Sequence, residues 1–429
     1  MERAVRMGTG CAARRVVVTG LGVVSPIGNT VAAFWQNLLA GVCGIRPIND
    51  WDATGFPSRL AGQVDGFDPT LYMDKQAARR ADRFAQFAVA SAFDAVRAAK
   101  LDLQRLDRER VAAVIGTAIG GFGIVEREAV LLRDGGPRRV SPTLIPAVIG
   151  NMAGCLTAIL LGIHGPVLCP VGACATGCMA IGDAMRLVAD GTVDVALAGG
   201  SESVTTPLAV ASFGRLGALS RRDDDPARAC LPFDVERDGT VLSEGAAVLV
   251  LESEEHAQAR GAQILCELAG YGVTADAYHI AAPDPNGTGA ARAVQAALRN
   301  AGAAPEDVTF VCAHGTGTPL NDISESKAIA QVLGEKVPVM SNKYSIGHTL
   351  GAAGAISSVM AVCALQEGVI PGTLNLRNKD PECPVNAIRA NVRASVHGVL
   401  VNAFGFGGQN ASLFYRRYGD GQASATSGI

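Results

Sequence analysis

Cys174 is the residue whose sequence surroundings most favour chemistry. It lies in the run Gly-Ala-Cys-Ala-Thr-Gly at 172–177, after a short apolar segment (166–169) and before one with apolar residues at helical spacing (179–188). A helix N-terminus beneath the sulfur stabilises a thiolate through the helix dipole and the free backbone N–H groups. Because a thiolate is a good acyl acceptor, we predict that Cys174 is a catalytic nucleophile.

The remaining cysteines support a competing interpretation, since most free cysteines are inert residues of the core. The chain contains eleven cysteines, and several lie in apolar runs: Cys155, Cys169, Cys178, Cys266, Cys312 and Cys363. A catalytic role for Cys174 therefore depends on partner residues elsewhere in the chain. No Cys-x-x-Cys pair is present, and Cys174 and Cys178 have no matching pair of histidines, so the pattern predicts no metal site.

Two of the six histidines occupy turns of the same kind. His314 begins the run His-Gly-Thr-Gly-Thr-Pro (314–319) directly after a predicted strand, and strand ends are where α/β folds place reactive groups. His348 precedes a predicted helix, a position that favours a neutral imidazole. Each histidine taken singly is more often structural than catalytic. Together with Cys174, they predict one active site assembled from three segments.

A glycine-rich run at 402–410 is the last candidate segment. Its glycines permit unusual backbone angles, so that an N–H can be aimed at a developing oxyanion. The same pattern is typical of a hairpin before the final strand (412–415), and the pattern alone leaves both interpretations open. An earlier set of glycines is predicted to form tight turns, because no acidic residue follows at the distance that a nucleotide-binding loop requires: Gly116, Gly120, Gly121 and Gly123.

The composition limits the class of protein. Of 429 residues, 48% are hydrophobic, 51 are glycine and 18% are charged, which favours a compact α/β enzyme over a disordered or fibrous chain. The net charge of −3 predicts no general attraction to nucleic acid or to an anionic membrane. We find neither an uninterrupted apolar stretch of membrane-spanning length nor a signal peptide, and the cysteine count is odd. These features predict a reduced, cytoplasmic protein.

Strand and helix patterns alternate along the chain, which predicts an α/β fold. The ordered part is expected to open at Arg15 with a strand (16–20) that ends in a glycine turn. Longer helices are predicted at 77–100, 144–160, 288–301, 321–333 and 349–366. The two halves share only a loose similarity of pattern.

These motifs identify a family. The chain resembles the β-ketoacyl-acyl-carrier-protein synthases of the condensing-enzyme (thiolase-like) superfamily, closest to the elongating type I/II synthases, from about Arg15 to Arg417. The resemblance rests on Val-Val-Val-Thr-Gly-Leu-Gly (16–22), Ser-Pro (141–142), the cysteine run (172–177), the histidine run (314–319), Gly-His (347–348) and Gly-Phe-Gly-Gly (405–408). It implies a five-layered αβαβα fold of two similar halves.

The resemblance also implies the roles of individual residues. Cys174 takes an acyl chain from a carrier phosphopantetheine as a thioester, and His314 and His348 promote loss of CO₂ from malonyl-acyl-carrier protein and stabilise the enolate. Backbone N–H groups of Cys174 and Phe406 form the oxyanion hole. Lys343 and Glu325 form a buried charged pair that supports the histidines, although a purely structural role is the more natural one for this pair. Further residues are expected to contact the substrate: Thr316, Thr318, Phe404, Phe406 and Val125.

The same resemblance predicts partners and boundaries. A flexible extension (1–14) precedes a half that carries the nucleophile (15–262), and a half that carries both histidines (263–418) precedes a flexible tail (419–429). Acyl carrier protein is the expected partner. The chain itself is expected to form a homodimer, or a heterodimer with a related subunit. No cofactor, nucleic acid or membrane is expected to bind. Arginine clusters at 79–83 and 138–139 are candidates for meeting an acidic carrier, although a solvated helix face is the default interpretation.

Departures from the family leave the acyl substrate open, between fatty-acid and polyketide synthesis. Gln409 stands where many relatives have threonine or histidine, and Ala281 and Ala282 stand where close relatives often carry hydroxyl groups.

An alternative is a non-catalytic subunit of the chain-length-factor kind, but such chains lack the nucleophile. Two related enzyme classes match this chain less well. Thiolases use a second cysteine near the C-terminus, which the corresponding region of this chain does not offer, and type III synthases use a Cys-His-Asn set in place of a cysteine with two histidines. We expect His348→Ala to stop condensation while still permitting acylation.

Overall fold

The computed structural model describes residues 13–419. The predicted extension (1–14) and tail (419–429) lie outside this range, apart from their innermost residues. Arg14 was assigned to the flexible extension, yet its guanidinium donates to the Asp194 carboxylate over 2.8 Å. The ordered chain therefore reaches at least one residue further toward the N-terminus than predicted.

Fifteen strands lie within the described residues. They are β1 Val16–Val24, β2 Ile45–Pro47, β3 Leu60–Gly62, β4 Val111–Gly116, β5 Val167–Leu168, β6 Val195–Glu202, β7 Gly245–Ser253, β8 Cys266–Ala275, β9 Phe310–Cys312, β10 Pro338–Met340, β11 Val369–Ile370, β12 Asn386–Ala387, β13 Val392–Arg393, β14 Gly398–Gly405 and β15 Gln409–Arg416. Eleven of these strands form one sheet, while β2 with β3 and β11 with β13 form two small ribbons.

Thirteen α-helices accompany the strands in the same part of the chain. They are α1 Val31–Leu39, α2 Lys75–Arg80, α3 Arg83–Ala98, α4 Phe122–Gly135, α5 Leu144–Val148, α6 Met152–Leu161, α7 Thr176–Ala189, α8 Pro207–Arg215, α9 Glu254–Ala259, α10 Thr288–Ala301, α11 Pro319–Leu333, α12 Lys343–Ile346 and α13 Ala353–Glu367. Short 3₁₀ turns precede two of the long helices: Ala173–Ala175 before α7 and Leu350–Ala352 before α13.

The two halves of the large sheet repeat one topology. In the first half the strand order is β5-β4-β6-β7-β1, with β4 parallel to β5 and β6, and with β7 antiparallel to both of its neighbours. In the second half the order is β10-β9-β14-β15-β8, with the same pattern of directions. A short antiparallel contact between β1 and β8, at Val17 and Val18, joins the halves. The loose similarity of sequence pattern therefore reflects a repeated fold.

Helices complete the five predicted layers. Helices α3 and α6 cover the outer face of the first half, and α10 and α11 cover the outer face of the second. Helices α7 and α13 lie between the halves, and each contacts strands from both. Their apolar side chains merge with both sheet faces into one large core.

One apolar segment is as long as a membrane-spanning helix. Leu350–Glu367 is 18 residues long with a mean hydropathy of 1.4, which is enough by length and composition to cross a membrane. The segment is not an uninterrupted apolar run, since it contains Ser357, Ser358, Gln366 and Glu367. The segment is 89% buried inside the protein, because α13 forms the central layer between the two sheet halves. Its apolar composition is explained by that packing.

Several predicted boundaries need correction. The first strand does not end at Gly20 but continues to Val24. Gly20 and Gly22 lie against α3, where an added Cβ would meet the helix backbone at 2.3 Å or 1.9 Å, respectively. These glycines allow a close approach of helix to strand and do not make a turn. The predicted helix at 77–100 is two helices, because Asp82 caps α3 by accepting from the Phe84 N–H over 3.2 Å. The predicted helix at 144–160 is likewise divided, at extended Ile149.

Candidate active site

Cys174, His314 and His348 open onto one cavity of about 400 Å³. Four of the residues expected to contact the substrate also line it, namely Thr316, Thr318, Phe404 and Phe406. The three segments that sequence reasoning treated separately therefore meet at the sheet ends, where the chain enters α7 and α13 and leaves β9.

The cysteine turn is held in a strained conformation. Ala173 has φ +49°, a left-handed value that alanine seldom adopts, and it opens the 3₁₀ turn that carries Cys174. Thr176 stabilises this turn, because its hydroxyl donates to the Ala173 carbonyl over 2.7 Å and accepts from the Gly172 N–H over 2.9 Å. Gly405 packs so closely behind the turn that an added Cβ would lie 3.0 Å from the Cys174 nitrogen. Strand β14 thus braces the turn that carries Cys174.

His348 is the direct side-chain partner of the cysteine. Its Nε2 lies 3.1 Å from Cys174 Sγ, and its ring lies 5.1 Å from the His314 ring in an edge-to-face arrangement. Burial, reinforced by the nearby charge of Lys343, holds the pKa of His348 well below its ordinary value. The imidazole is therefore neutral at pH 7, as expected from sequence. Burial, Lys343 and His348 hold the pKa of His314 low in the same way.

The thiol does not behave as its position in the sequence suggested. Burial raises the pKa of Cys174 to about 12, and the Glu202 carboxylate adds to the increase. Lys343 and the backbone N–H groups of Cys174 and Phe406 act in the opposite direction, but they do not outweigh burial. Cys174 is consequently a protonated thiol, and nucleophilic attack by its sulfur would require a base within reach. His348 Nε2 is placed to be that base.

Two buried charged side chains hold His314 by its backbone. Lys343 Nζ donates to the His314 carbonyl over 2.5 Å, while Glu325 accepts from the N–H groups of His314 and Gly315 over 2.8 and 2.7 Å. No direct ion pair joins Lys343 and Glu325 among the described residues, so the pair expected from sequence is replaced by two contacts to one backbone segment. Burial raises the pKa of Glu325 to about 7 and lowers the pKa of Lys343.

The glycine-rich run is both a hairpin and part of the site. It joins β14 to β15, as one interpretation of the sequence held, with Gly407 and Gly408 at positive φ. The turn also brings the Phe406 N–H toward Cys174 Sγ, beside the N–H of Cys174 itself. Both groups expected to form an oxyanion hole therefore face the sulfur. The Phe406 ring is 39% exposed and stacks on Phe213 with the centroids 6.2 Å apart.

Some of the other residues expected to contact the substrate line the cavity, and one does not. Thr316 and Thr318 line the cavity and their hydroxyl groups hydrogen-bond to each other over 2.8 Å, while buried Phe404 contacts the His314 ring. Val125 is not brought to the cavity. It lies on α4 with 42% of its surface exposed, because α4 packs on the outside of this single chain.

Sequence reasoning missed several residues of the site. Glu202 is fully buried and accepts from Thr117 Oγ1 over 2.8 Å, from the Ala118 N–H over 2.8 Å and from the Gly351 N–H over 3.1 Å. It thereby ties the loop after β4 to the turn after His348. A carboxylate at the end of an apolar strand was the available signal. The apolar wall of the cavity was also missed, because its members look like ordinary helix residues: Phe213, Leu216 and Leu350.

Two models of known protein domains match the chain. The β-ketoacyl synthase N-terminal domain matches residues 13–257, and the β-ketoacyl synthase C-terminal domain matches residues 265–377. The chain belongs to the β-ketoacyl synthase family. This confirms the family identified from the motifs around Cys174, His314 and His348.

Curated members of the family are similar over nearly the whole chain. The 3-oxoacyl-[acyl-carrier-protein] synthase 2 of Synechocystis sp. is 47% identical over 409 residues, which are 94% of this chain and 98% of that protein. The protein of the same name from Vibrio cholerae serotype O1 is 43% identical over 410 residues, 94% of this chain and 99% of that one.

Solved structures share the fold closely. The ishigamide ketosynthase/chain length factor has a TM-score of 0.89 at 37% identity and covers 95% of this chain and 100% of its own. A type II polyketide synthase acyl-carrier protein in complex with its ketosynthase has a TM-score of 0.88 at 35% identity, covering 94% and 99%. The thiolase-like α/β fold predicted from sequence is therefore confirmed.

Proposed function

We propose that the chain is an elongating β-ketoacyl-acyl-carrier-protein synthase. It condenses an acyl group held on Cys174 with malonyl-acyl-carrier protein, with loss of CO₂, to give β-ketoacyl-acyl-carrier protein. The observation that carries this proposal is the 3.1 Å contact between Cys174 Sγ and neutral His348 Nε2, with the ring of His314 5.1 Å from that of His348 in the same cavity. The names of the curated relatives support the same reaction.

Acylation is the first half of the reaction. His348 Nε2 accepts the thiol proton as Cys174 Sγ attacks the thioester carbonyl of the acyl carrier, and the proton leaves with the carrier thiol. The N–H groups of Cys174 and Phe406 stabilise the oxyanion of the tetrahedral intermediate, a kind of contact that is worth about 10²–10³ in rate per donor.

Condensation is the second half. The carboxylate of the malonyl group leaves as CO₂, and its bonding electrons pass into the thioester carbonyl, which forms an enolate beside His314 and His348. The enolate carbon then attacks the Cys174 thioester and releases the sulfur as a thiolate, which takes up a proton from solvent to restore the thiol. Neutral imidazoles suit this step, since they hydrogen-bond to the enolate oxygen without the full solvation cost of a buried cation. Lys343 and Glu325 keep the His314 backbone in place.

Substrates arrive on the phosphopantetheine arm of a carrier protein, and no further cofactor takes part. Thr316 and Thr318 line the cavity and hydrogen-bond to the amides of that arm. Ala281 and Ala282 line the same cavity without hydroxyl groups, so this part of the arm gains no side-chain hydrogen bond from them. The exposed arginines at 79–80 and 138–139 supply positive charge for an acidic carrier.

The chain acts as a dimer, with itself or with a related ketosynthase-like subunit. Strand β5 ends the large sheet with one edge unpaired among the described residues, and exposed apolar side chains surround it: Ile145, Ile159, Leu168 and Val171. A partner on this face would also cover α4 and Val125. We assign residues 15–262 and 263–418 to the two halves, and we place the enzyme in the cytoplasm.

The proposal is tested by intact-protein mass spectrometry and a condensation assay. The chain is incubated with acyl-carrier proteins of differing chain length and unsaturation, and then with malonyl-carrier protein. We expect a mass gain that maps to Cys174 and a β-ketoacyl product. Cys174→Ala should lower product formation by at least about 10⁴-fold. Cys178→Ala is the matched control, since this buried cysteine lies one helical turn further along α7.

The preferred acyl chain distinguishes fatty-acid from polyketide synthesis. A partner subunit of the chain-length-factor kind is the competing function, and it predicts no acylation with any donor, with or without a second subunit. Acylation that persists in Cys174→Ala would also contradict the proposal.

A further inference from the structure

The three reactive side chains also form a compact set of metal ligands. One ligand atom from each of Cys174, His314 and His348 lies within 4.8 Å of the other two, and all three residues are buried. From bond lengths of about 2.0–2.1 Å for Zn–N and 2.3 Å for Zn–S, tetrahedral ligand atoms lie about 3.3–3.6 Å apart. Small side-chain rotations would therefore suffice to bring the three atoms around one ion.

The donor set suits zinc in its chemistry. Both imidazoles are buried beside the Cys174 sulfur, and each can offer a ring-nitrogen lone pair to an ion. A thiolate and two imidazoles are ligands that Zn²⁺ prefers, and the cavity leaves the fourth position open. The thiol loses its proton to solvent as the S–Zn bond forms, so no oxidant or reductant is required.

Charges around the site limit how tightly the ion is held. Lys343 lies close enough to act on all three ligands, and its positive charge opposes a dication. The carboxylates of Glu202 and Glu325 lie in the same region and compensate in part. Neither histidine Nδ1 has a hydrogen-bond partner within residues 13–419. Resident zinc sites usually orient their histidines through that nitrogen.

We propose that Cys174, His314 and His348 form an exchangeable zinc site that reversibly blocks the nucleophile. The site binds Zn²⁺ through one sulfur and two nitrogen atoms, with a water molecule as the fourth ligand, and it lacks the supporting hydrogen bonds of a permanent metal centre. The metal site itself is independent of the proposed reaction. The inhibition rests on the proposed function, because zinc occupies the sulfur that accepts the acyl group.

Cobalt is the probe for the site, since four-coordinate Co²⁺ has visible absorption bands and a bond to sulfur adds a near-ultraviolet charge-transfer band. The full chain is titrated with Co²⁺ in thiol-free, oxygen-free buffer. We expect both features to saturate at one equivalent and to disappear when Zn²⁺ is added. Zinc should also slow alkylation of Cys174 by iodoacetamide, and EDTA should restore the rate.

Variants locate the metal. Cys174→Ser should remove the charge-transfer band, and His314→Gln or His348→Gln should weaken Co²⁺ binding by more than the roughly 10–100-fold that loss of a supporting residue costs. Two controls should leave the spectrum unchanged. They are His279→Gln, a histidine at the mouth of the cavity, and Cys155→Ser, a cysteine outside the cluster. Unfolding midpoints measured in EDTA establish that each variant is folded.

The outcomes separate the two proposals. A charge-transfer band that survives Cys174→Ser, or a chain that condenses substrates but shows no band at one equivalent, would overturn the zinc site. A chain that gives the band but never condenses substrates in metal-free buffer would overturn the proposed function and leave the metal site intact.

Discussion

The two halves of the molecule share one strand order but use equivalent positions differently. In the first half, the turn before the central helix α7 carries Cys174; in the second, the turn before the central helix α13 follows His348. The loop after β4 carries Thr117, whereas the loop after β9 carries His314. A repeated fold thus brings equivalent turns together, and one half supplies Cys174 while the other supplies both histidines.

Strain also appears at equivalent places. Ala173 has φ +49° and Leu350 has φ +41°, and each opens the 3₁₀ turn before its central helix. Non-glycine residues in this region cost about 1–3 kcal/mol, and they persist only where the surroundings enforce them. The two turns are therefore held by tertiary contacts around the cavity and not by local preference.

Each half further contains a buried glutamate that accepts backbone N–H groups beside the site. Glu202 holds Ala118 and Gly351, and Glu325 holds His314 and Gly315. Burial raises the pKa of both carboxyl groups to about 7. The difference lies in what they position: Glu325 fixes a histidine, whereas Glu202 fixes two loops.

The largest effect should come from separating the two histidines. His348 contacts the thiol and His314 does not, so His348→Ala should slow acylation of Cys174 by about 10²–10⁴-fold. His314→Ala should leave acylation within a few-fold of the parent, while condensation is lost in both variants. Single-turnover acylation followed by intact mass measures the first step, and a malonyl-dependent product assay measures the second.

This expectation differs from the one based on sequence, which left acylation intact in His348→Ala. The difference arises because burial raises the pKa of Cys174 to about 12, so the thiol needs a base. Equal acylation rates for the two variants would show that the proton leaves by another route.

A smaller effect should separate the two glutamates. Glu325→Gln and Glu202→Gln each turn an amide N–H toward backbone donors, and we expect each to lower the free energy of unfolding at pH 5 by about 1–3 kcal/mol. Glu325→Gln should also lower kcat by about 10–100-fold, because it misplaces His314, and Glu202→Gln should lower it less. Chemical denaturation and steady-state kinetics measure the two effects.

The free energy of unfolding of the parent and of the glutamine variants should depend on pH in a direction that the raised pKa values determine. A carboxyl group whose pKa is raised on folding binds its proton more tightly in the native state, so its stabilisation is complete below pH 4.5 and is lost as the pH rises toward 7. The stability gap between the parent and each glutamine variant should therefore shrink from pH 5 to pH 7. Titration of the histidines changes the free energy of unfolding of the parent and of each variant by the same amount, so it cancels in that difference. A gap that widens with pH would mean that the carboxylates are ionised in the folded protein.

The sequence predicted features that depend on neighbouring residues better than features that depend on contacts between distant segments. Local patterns were enough for α10 at Thr288–Ala301, where predicted and observed bounds agree. They failed for Gly20, since its role is to admit α3, a helix some seventy residues away in the chain. The motifs located Cys174 and both histidines, but not Glu202 or the thiol pKa, because burial depends on residues from both halves.

The smallest effect tests the strained turn directly. Ala173→Gly relieves the left-handed angle but raises the entropy of the unfolded chain, so we expect the free energy of unfolding to change by less than about 1 kcal/mol. The matched control is Ala277→Gly, an exposed alanine with φ +53° outside the turn. Both variants should have similar stability, but only Ala173→Gly should lower kcat, by several-fold, since a looser turn spreads the positions of the sulfur relative to His348. Equal kcat values would mean that Gly405 and Thr176 hold the nucleophile without help from Ala173.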